Sequence, residues 1–189
     1  MKNTRIYQTL KDKENPDEIE TNGPFPCNWR NSWLGDGYYF WDTFIENAHW
    51  WGEVHCDNCY IICEAFVDLN DDNCFDLVGN TRHMEDFGES IKFMKSKGLI
   101  SANTTVSRIL KFMQDNELFL NYKAIRAYGI NSKSRDHQPN YRIVFDPEKK
   151  YQYLPYKPEI QLCLLKLPDL NFREYRIVYP DIYNQDYAV

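Results

Sequence analysis

The sequence predicts an α+β domain with a helical insertion, on three observations. Short segments rich in β-branched and aromatic residues, which favour strands, lie toward both ends of the chain, as in Tyr60–Leu69 and Glu174–Tyr179. Between them, from about residue 83 to residue 116, apolar residues recur at the spacing of amphipathic helices. The length of 189 residues suits one domain, which we place over residues 1–189.

The early elements begin with a strand at Thr4–Thr9, followed by a charged loop. Ile19–Phe25 then has the character of a short helix end and a turn. The next turn is Gly35-Asp36-Gly37, where two glycines permit positive φ angles without steric cost.

An aromatic segment follows that turn directly. Tyr38–Trp41 consists of four aromatic residues, a composition that favours a strand. Asp42 and Thr43 offer N-cap chemistry for a short helix that carries Trp50 and Trp51. Aromatic faces suit both a packed core and a site that stacks a planar ligand, so composition alone leaves these two interpretations open.

The rest of the chain returns from helices to strands. We predict two helices between residues 83 and 116, divided near Gly98 and packed on the sheet. The predicted strands of this part of the chain are Val54–Leu69, Cys74–Val78, Tyr122–Ile130, Tyr141–Phe145, Glu159–Leu165 and Glu174–Tyr179.

Composition and charge argue against some classes of protein. The formal net charge is −6, whereas a general nucleic-acid-binding surface usually carries a basic stripe; a local groove for a nucleic-acid substrate stays open. No stretch of eighteen apolar residues occurs, so we expect no membrane partner. The first residues lack the apolar core of a secretory signal, so we expect a cytoplasmic protein.

The cysteines raise a metal hypothesis around His55, Cys56, Cys59 and Cys63, because thiolate and imidazole groups bind zinc. A single C-x-x-C pair lacks the distant second pair of a closed zinc site, and Cys59 and Cys63 fall in an apolar run. We therefore predict no metal site, and cysteines that are reduced and mostly buried.

The segment from Gly35 to Trp50 resembles the ADP-ribosyltransferases of the poly(ADP-ribose) polymerase and diphtheria-toxin type. That family has a G-x-G-[IV]-Y-F strand, an acidic residue, and a helix bearing Ser-Ala-x-Tyr. GDGYYF at residues 35–40 and NAHW at residues 47–50 match both parts without a gap. The resemblance implies a split, mostly antiparallel β-sheet core of ADP-ribosyltransferase type, with NAD as the substrate.

The resemblance also implies which residues hold NAD. Tyr39 and Trp50 look like the two rings that sandwich the nicotinamide, and Gly37 and Tyr38 belong to the same motif. Asn47 stands where the family usually has a serine that holds the carboxamide, and an asparagine side chain can bond the same amide.

The family's first strand ends in His-Gly-[ST], which here corresponds to Gln8 and Thr9. Gln8 can still bond a ribose hydroxyl. Thr9 has a side chain where the family brings its backbone close to the ligand. A strand with a solvent-facing Gln8 is the alternative.

The catalytic position is the largest departure from the family. The family's catalytic glutamate opens a late strand that one further strand follows. By that order Gln161 takes the catalytic place, with Glu159 two residues before it on the same strand face. The alternative alignment uses Glu174. We expect Tyr39, Glu159 and Gln161 to form the catalytic set, with a neighbouring carboxylate supplying the charge that Gln161 lacks.

The function that this resemblance implies is transfer of ADP-ribose from NAD to a macromolecular acceptor, a protein or a nucleic acid, as in toxins and defence enzymes. A weak or inactive relative that binds NAD or ADP-ribose is the alternative. A structural protein with an aromatic core is a third.

Overall fold

The computed structural model describes residues 2–28, 32–119, 121–128, 141–149 and 151–184. The helices within these ranges are α1 (Pro16–Asn22), α2 (Ile45–His55), α3 (Thr81–Ser96) and α4 (Val106–Asp115). The strands are β1 (Lys2–Lys11), β2 (Tyr38–Asp42), β3 (Tyr60–Leu69), β4 (Cys74–Asp76), β5 (Ala124–Tyr128), β6 (Arg142–Val144), β7 (Tyr153–Pro155), β8 (Ile160–Leu164) and β9 (Arg173–Tyr179).

Seven of these strands form one sheet in the order β4-β5-β8-β2-β1-β3-β9. Only the β4–β5 pair is parallel, so the predicted α+β class and the mostly antiparallel sheet are confirmed. The prediction of a split sheet differs from the structure, because β1 pairs with β3 over ten residues and joins both halves into one sheet. Strands β6 and β7 form a separate two-stranded hairpin.

The strand registers assign side chains to the two faces of this sheet. Tyr39 lies opposite Cys163, and Trp41 lies opposite Gln161 and Tyr7, so these side chains share one face. Helix α2 packs over Trp41 and Tyr7 on this face, which we call the α2 face. On the opposite face, Phe40 packs in a second core cluster that includes Leu170 and Phe172.

The predicted helical insertion is confirmed as α3 and α4, which also cover the α2 face, above β4, β5 and β8. Met94 of α3 and Met113 of α4 pack against Phe75 and Ile125 of the sheet. The side chains of Asn80 and Thr105 cap the two helices by accepting hydrogen bonds from backbone N–H groups in their first turns. The apolar residues that recur at helical spacing between residues 83 and 116 therefore indicate two helices that face the core.

Two local predictions need correction. Asp42 ends β2 and does not cap α2, whose N-cap residue is Phe44, because the Asp42 carboxylate bonds Arg126 instead. Strand β3 begins at Tyr60 and not near Val54, because α2 continues to His55. Residues 129–140, which include the end of the predicted strand Tyr122–Ile130, lie outside the described residues.

Candidate functional site

Tyr39 lies half-buried on the α2 face, and its hydroxyl group holds the preceding turn. The hydroxyl donates to the carbonyl oxygen of Gly35 at 2.8 Å and accepts from the backbone N–H of Leu34 at 2.8 Å. Burial raises the pKa of Tyr39 well above its ordinary value, so the side chain stays neutral as a fixed donor.

The ring packed next to Tyr39 is Trp33. The centroid of the Trp33 ring lies 6.4 Å from that of Tyr39 and 5.7 Å from that of Trp51, and Trp33 is tilted by about 50° to both. Trp50 lies further along, 6.0 Å from both Trp41 and Trp51. Tyr39 and Trp50 thus lie on one side of the sheet, as the sandwich requires, but Trp33 stands beside Tyr39 where the planar ligand was expected.

Three of the residues predicted to bind NAD or act in catalysis, Asn47, Trp50 and Glu159, line one cleft between α2 and the hairpin. Its volume of about 20 Å³ is room for roughly one water molecule. The other lining residues are Glu46, Tyr141, Arg142, Pro155 and Lys157. The Asn47 amide Nδ2 donates to the carbonyl oxygen of Pro158 at 3.0 Å, which fixes the segment just before β8 against the start of α2.

An ion pair crosses this cleft. The Lys157 ammonium group bonds the Glu46 carboxylate and also lies 4.6 Å from the centre of the Tyr141 ring. The hydrogen bond to Glu46 raises the pKa of Lys157. Burial raises the pKa of Glu46, but the hydrogen bond and positive charge of Lys157, together with a backbone hydrogen bond and the charge of His49, outweigh burial, so the pKa of Glu46 is lowered. Both groups are therefore charged at neutral pH and hold the cleft narrow.

Gln161 lies deeper than Glu159 on the α2 face, opposite Trp41. Only 8% of Gln161 is exposed, and its Oε1 has no hydrogen-bond partner among the described residues. Glu174 lies on edge strand β9, and three strands separate β9 from β8. At the usual strand spacing the distance between these two strands is about 19 Å. The cleft therefore contains Glu159 and not Glu174.

The other residues predicted to contact NAD do not all lie on the α2 face of the sheet. Gln8 lies on the opposite face, where Nε2 donates to Phe25 O at 2.9 Å and Oε1 accepts from Tyr175 Oη at 2.9 Å. Tyr38 also lies on the opposite face and packs against its core. These two side chains do not line the cleft.

Thr9 and Gly37 take structural roles close to the α2 face. Thr9 Oγ1 donates to the carbonyl oxygen of Ala48 at 2.9 Å and so ties β1 to α2. The predicted positive φ holds for Gly35, at 94°, but Gly37 is required for another reason. A Cβ atom on Gly37 would lie 2.6 Å from Cys163 Sγ, so a glycine is needed for the close approach of β8.

Sequence reasoning missed Trp33 and the cleft residues Glu46, Lys157 and Tyr141. Trp33 precedes the Gly35-Asp36-Gly37 turn, and its position depends on how that loop folds back onto β2. Lys157 belongs to a segment without periodicity, and Tyr141 begins a predicted strand, but neither pattern indicates which side chains meet α2.

The opposite face carries a second, more open groove of about 720 Å³. At its base the Arg126 guanidinium bonds the carboxylates of Asp42 at 2.7 Å and Asp76 at 3.1 Å. Asp71 and Asp72 lie at its rim. Within the ranges that the structure describes, no group of three or more potential ligand side chains is placed to hold a metal ion.

None of the described helices is both long enough and apolar enough to cross a bilayer. Comparison with known proteins gave no match to a family model, to a curated protein or to a solved structure.

Proposed function

We propose that this protein is an NAD-dependent ADP-ribosyltransferase of the poly(ADP-ribose) polymerase and diphtheria-toxin type, which transfers ADP-ribose to a protein or nucleic-acid acceptor. The observation that carries the proposal is the meeting of Asn47, Trp50 and Glu159 in one cleft. These residues are 112 positions apart at the extremes (159 − 47), and the resemblance alone selected them.

The sheet order supports the same proposal. Strands β1, β2 and β8 are neighbours, and they carry the three segments that the resemblance assigns to NAD binding and catalysis. Thr9, Tyr39 and Gln161 all project from the α2 face, beneath the helix that supplies the other predicted contacts. A fold of ADP-ribosyltransferase type would require this neighbourhood.

In the proposed chemistry, the Glu159 carboxylate supplies the negative charge that stabilises the transition state. Departure of nicotinamide leaves positive charge on the ribose, and a nearby carboxylate stabilises that charge by several kcal/mol. Gln161, in the family's catalytic place, has no net charge, whereas Glu159, just before β8, carries a carboxylate and lines the cleft. Tyr39 supplies an aromatic surface for the planar ring of the substrate.

Binding requires the cleft to widen, because it now holds about one water molecule. The Lys157–Glu46 pair spans it, and both side chains are 29% exposed. Partly exposed ion pairs contribute little net stability, so separating this pair is a small cost for an incoming ligand.

A binding module without turnover is the second candidate function. The specific observation that favours it is Gln161, an amide that is buried on the α2 face where the family has a glutamate. Such a protein would hold NAD but would release nicotinamide no faster than solution does.

The test is the rate of nicotinamide release from NAD by the purified protein, compared with Glu159→Gln and the control Glu174→Gln. We expect release by the wild type and the Glu174 variant, and at least a tenfold lower rate for Glu159→Gln, about 1.4 kcal/mol or more of lost transition-state stabilisation. Equal rates for all three proteins at the uncatalysed level, with NAD bound, would select the binding module. Loss of activity only in the Glu174 variant would overturn the assignment of Glu159.

A further inference from the structure

Two buried polar atoms near the cleft have no partner among the described residues. One is Trp50 Nε1, a donor on a side chain that is 2% exposed. The other is Gln161 Oε1, an acceptor on a residue that is 8% exposed. Unsatisfied buried polar groups are rare in folded proteins because each one costs free energy, so a pair of them calls for an explanation.

The two residues are neighbours of the same ring. Gln161 lies directly opposite Trp41 on the adjacent strand, and the Trp50 ring packs edge-on against Trp41 at 6.0 Å. Trp50 lines the cleft together with Glu159, which lies just before β8 and two residues before Gln161. Trp50 therefore lines the cleft, and Gln161 lies beside the Trp41 ring against which Trp50 packs.

One donor and one acceptor match a particular chemical group. A primary carboxamide presents a carbonyl oxygen that accepts and an NH₂ group that donates. A carboxylate offers acceptors only, and a methyl ketone lacks the donor. Asn47, which the resemblance assigned to this group, already donates its Nδ2 to Pro158.

We infer that Trp50 and Gln161 together recognise the primary carboxamide of a nicotinamide ring. Trp50 Nε1 donates to the carboxamide oxygen, and the carboxamide NH₂ group donates to Gln161 Oε1. Trp50 thus acts through its N–H group and not as the second stacking ring. This inference rests on the proposed function, because NAD is the carboxamide-bearing substrate.

The test compares three ligands by calorimetry: NAD, its nicotinic acid analogue, and its 3-acetylpyridine analogue, which replaces NH₂ with a methyl group. We expect the wild type to bind NAD about tenfold more tightly than either analogue, the effect of one lost hydrogen bond. Gln161→Met removes the acceptor at similar volume, so it should weaken NAD binding to the level of the acetyl analogue and leave that analogue unchanged.

Trp50→Phe removes the donor but keeps an aromatic ring, so it should weaken NAD and the acetyl analogue by a similar factor of about ten. Gln114→Met, at an exposed position on α4, is the matched control and should change none of the affinities. Thermal unfolding of each variant checks the fold, and Gln161→Met suffices if Trp50→Phe does not fold.

The outcomes separate this inference from the proposed function. Tight NAD binding without discrimination between the three ligands, or discrimination that survives Gln161→Met, overturns the carboxamide site and leaves the transferase proposal standing. If NAD does not bind, free nicotinamide and free 3-acetylpyridine are compared next. If the protein prefers nicotinamide, the carboxamide site is supported although the transferase proposal fails. If it binds neither nicotinamide nor 3-acetylpyridine, both the carboxamide site and the transferase proposal are overturned.

Discussion

At the residue scale, Trp33 determines how much of the Tyr39 ring is available to a ligand. Its ring contacts Tyr39 on one side and Trp51 on the other, and the two hydrogen bonds of the Tyr39 hydroxyl hold the turn next to it. A planar ligand that stacks on Tyr39 must therefore move the Trp33 ring aside.

We expect Trp33→Ala to tighten NAD binding several-fold. In the wild type the ligand must break the contact between Trp33 and Tyr39, which costs about 1 kcal/mol, and the variant has no such contact to break. Calorimetric titration of NAD measures the change, with Trp33→Phe as an intermediate case. Weaker binding by Trp33→Ala would show instead that Trp33 forms one wall of the ligand site.

At the element scale, the turn-strand-helix unit depends on how closely β2 approaches β8. Cys163 Sγ and the carbonyl oxygen of Leu164 lie 2.6 Å and 2.8 Å from where a Cβ atom of Gly37 would stand. Neither the backbone nor a buried thiol can move away freely in a packed core.

Gly37→Ala should lower the free energy of unfolding by about 1–3 kcal/mol, the cost of overpacking a core. Gly88→Ala is the matched control, since Gly88 lies within α3 and its added methyl group would have no atom within 4 Å apart from those of its chain neighbours and its own helix backbone. The control should raise stability by about 0.5–1 kcal/mol through helix propensity. Urea unfolding measures both, and a neutral Gly37→Ala would contradict the close approach described here.

The same unit shows how far sequence reasoning reached. Local composition was enough to predict the turn, the aromatic strand and the helix, because each depends on neighbouring residues. It was not enough to place Gln8 and Tyr38, since which face a strand residue takes depends on its pairing register. The Asp42 prediction failed for a related reason. Its partner, Arg126, is 84 positions away and competes with the local cap.

The site was predicted unevenly for similar reasons. A motif without gaps pointed to Asn47 and Trp50, and strand order pointed to Glu159, all of which line the cleft. Trp33 and Lys157 come from loops, where no period or motif constrains the side-chain direction.

At the scale of the whole molecule, one buried ion cluster joins three strands on the face opposite α2. The Arg126 side chain is 20% exposed, Asp42 is 5% exposed and Asp76 is 19% exposed, and the cluster connects β5, β2 and β4. Burial lowers the pKa of Arg126, but the bonds to Asp42 and Asp76 outweigh this, so its pKa is raised.

Arg126→Leu should lower the free energy of unfolding by about 3 kcal/mol at neutral pH, because it leaves the buried carboxylate of Asp42 and the partly buried carboxylate of Asp76 without a counter-charge. Arg108→Leu, at an exposed position on α4, should change it by less than about 0.5 kcal/mol. Guanidinium unfolding followed by circular dichroism compares the two variants. Similar stabilities would mean that the cluster does not support the sheet.

The central claim is that NAD binds on the α2 face, and two adjacent tyrosines test it directly. Tyr39 and Tyr38 are neighbours in β2 but lie on opposite faces of the sheet. The measurement is the calorimetric affinity for NAD of the wild type, Tyr39→Leu and Tyr38→Leu. We expect Tyr39→Leu to weaken binding by about 1–3 kcal/mol, the loss of one aromatic contact, and Tyr38→Leu to leave it unchanged. Failure of the wild type to bind NAD, or an equal loss in both variants, would contradict the claim.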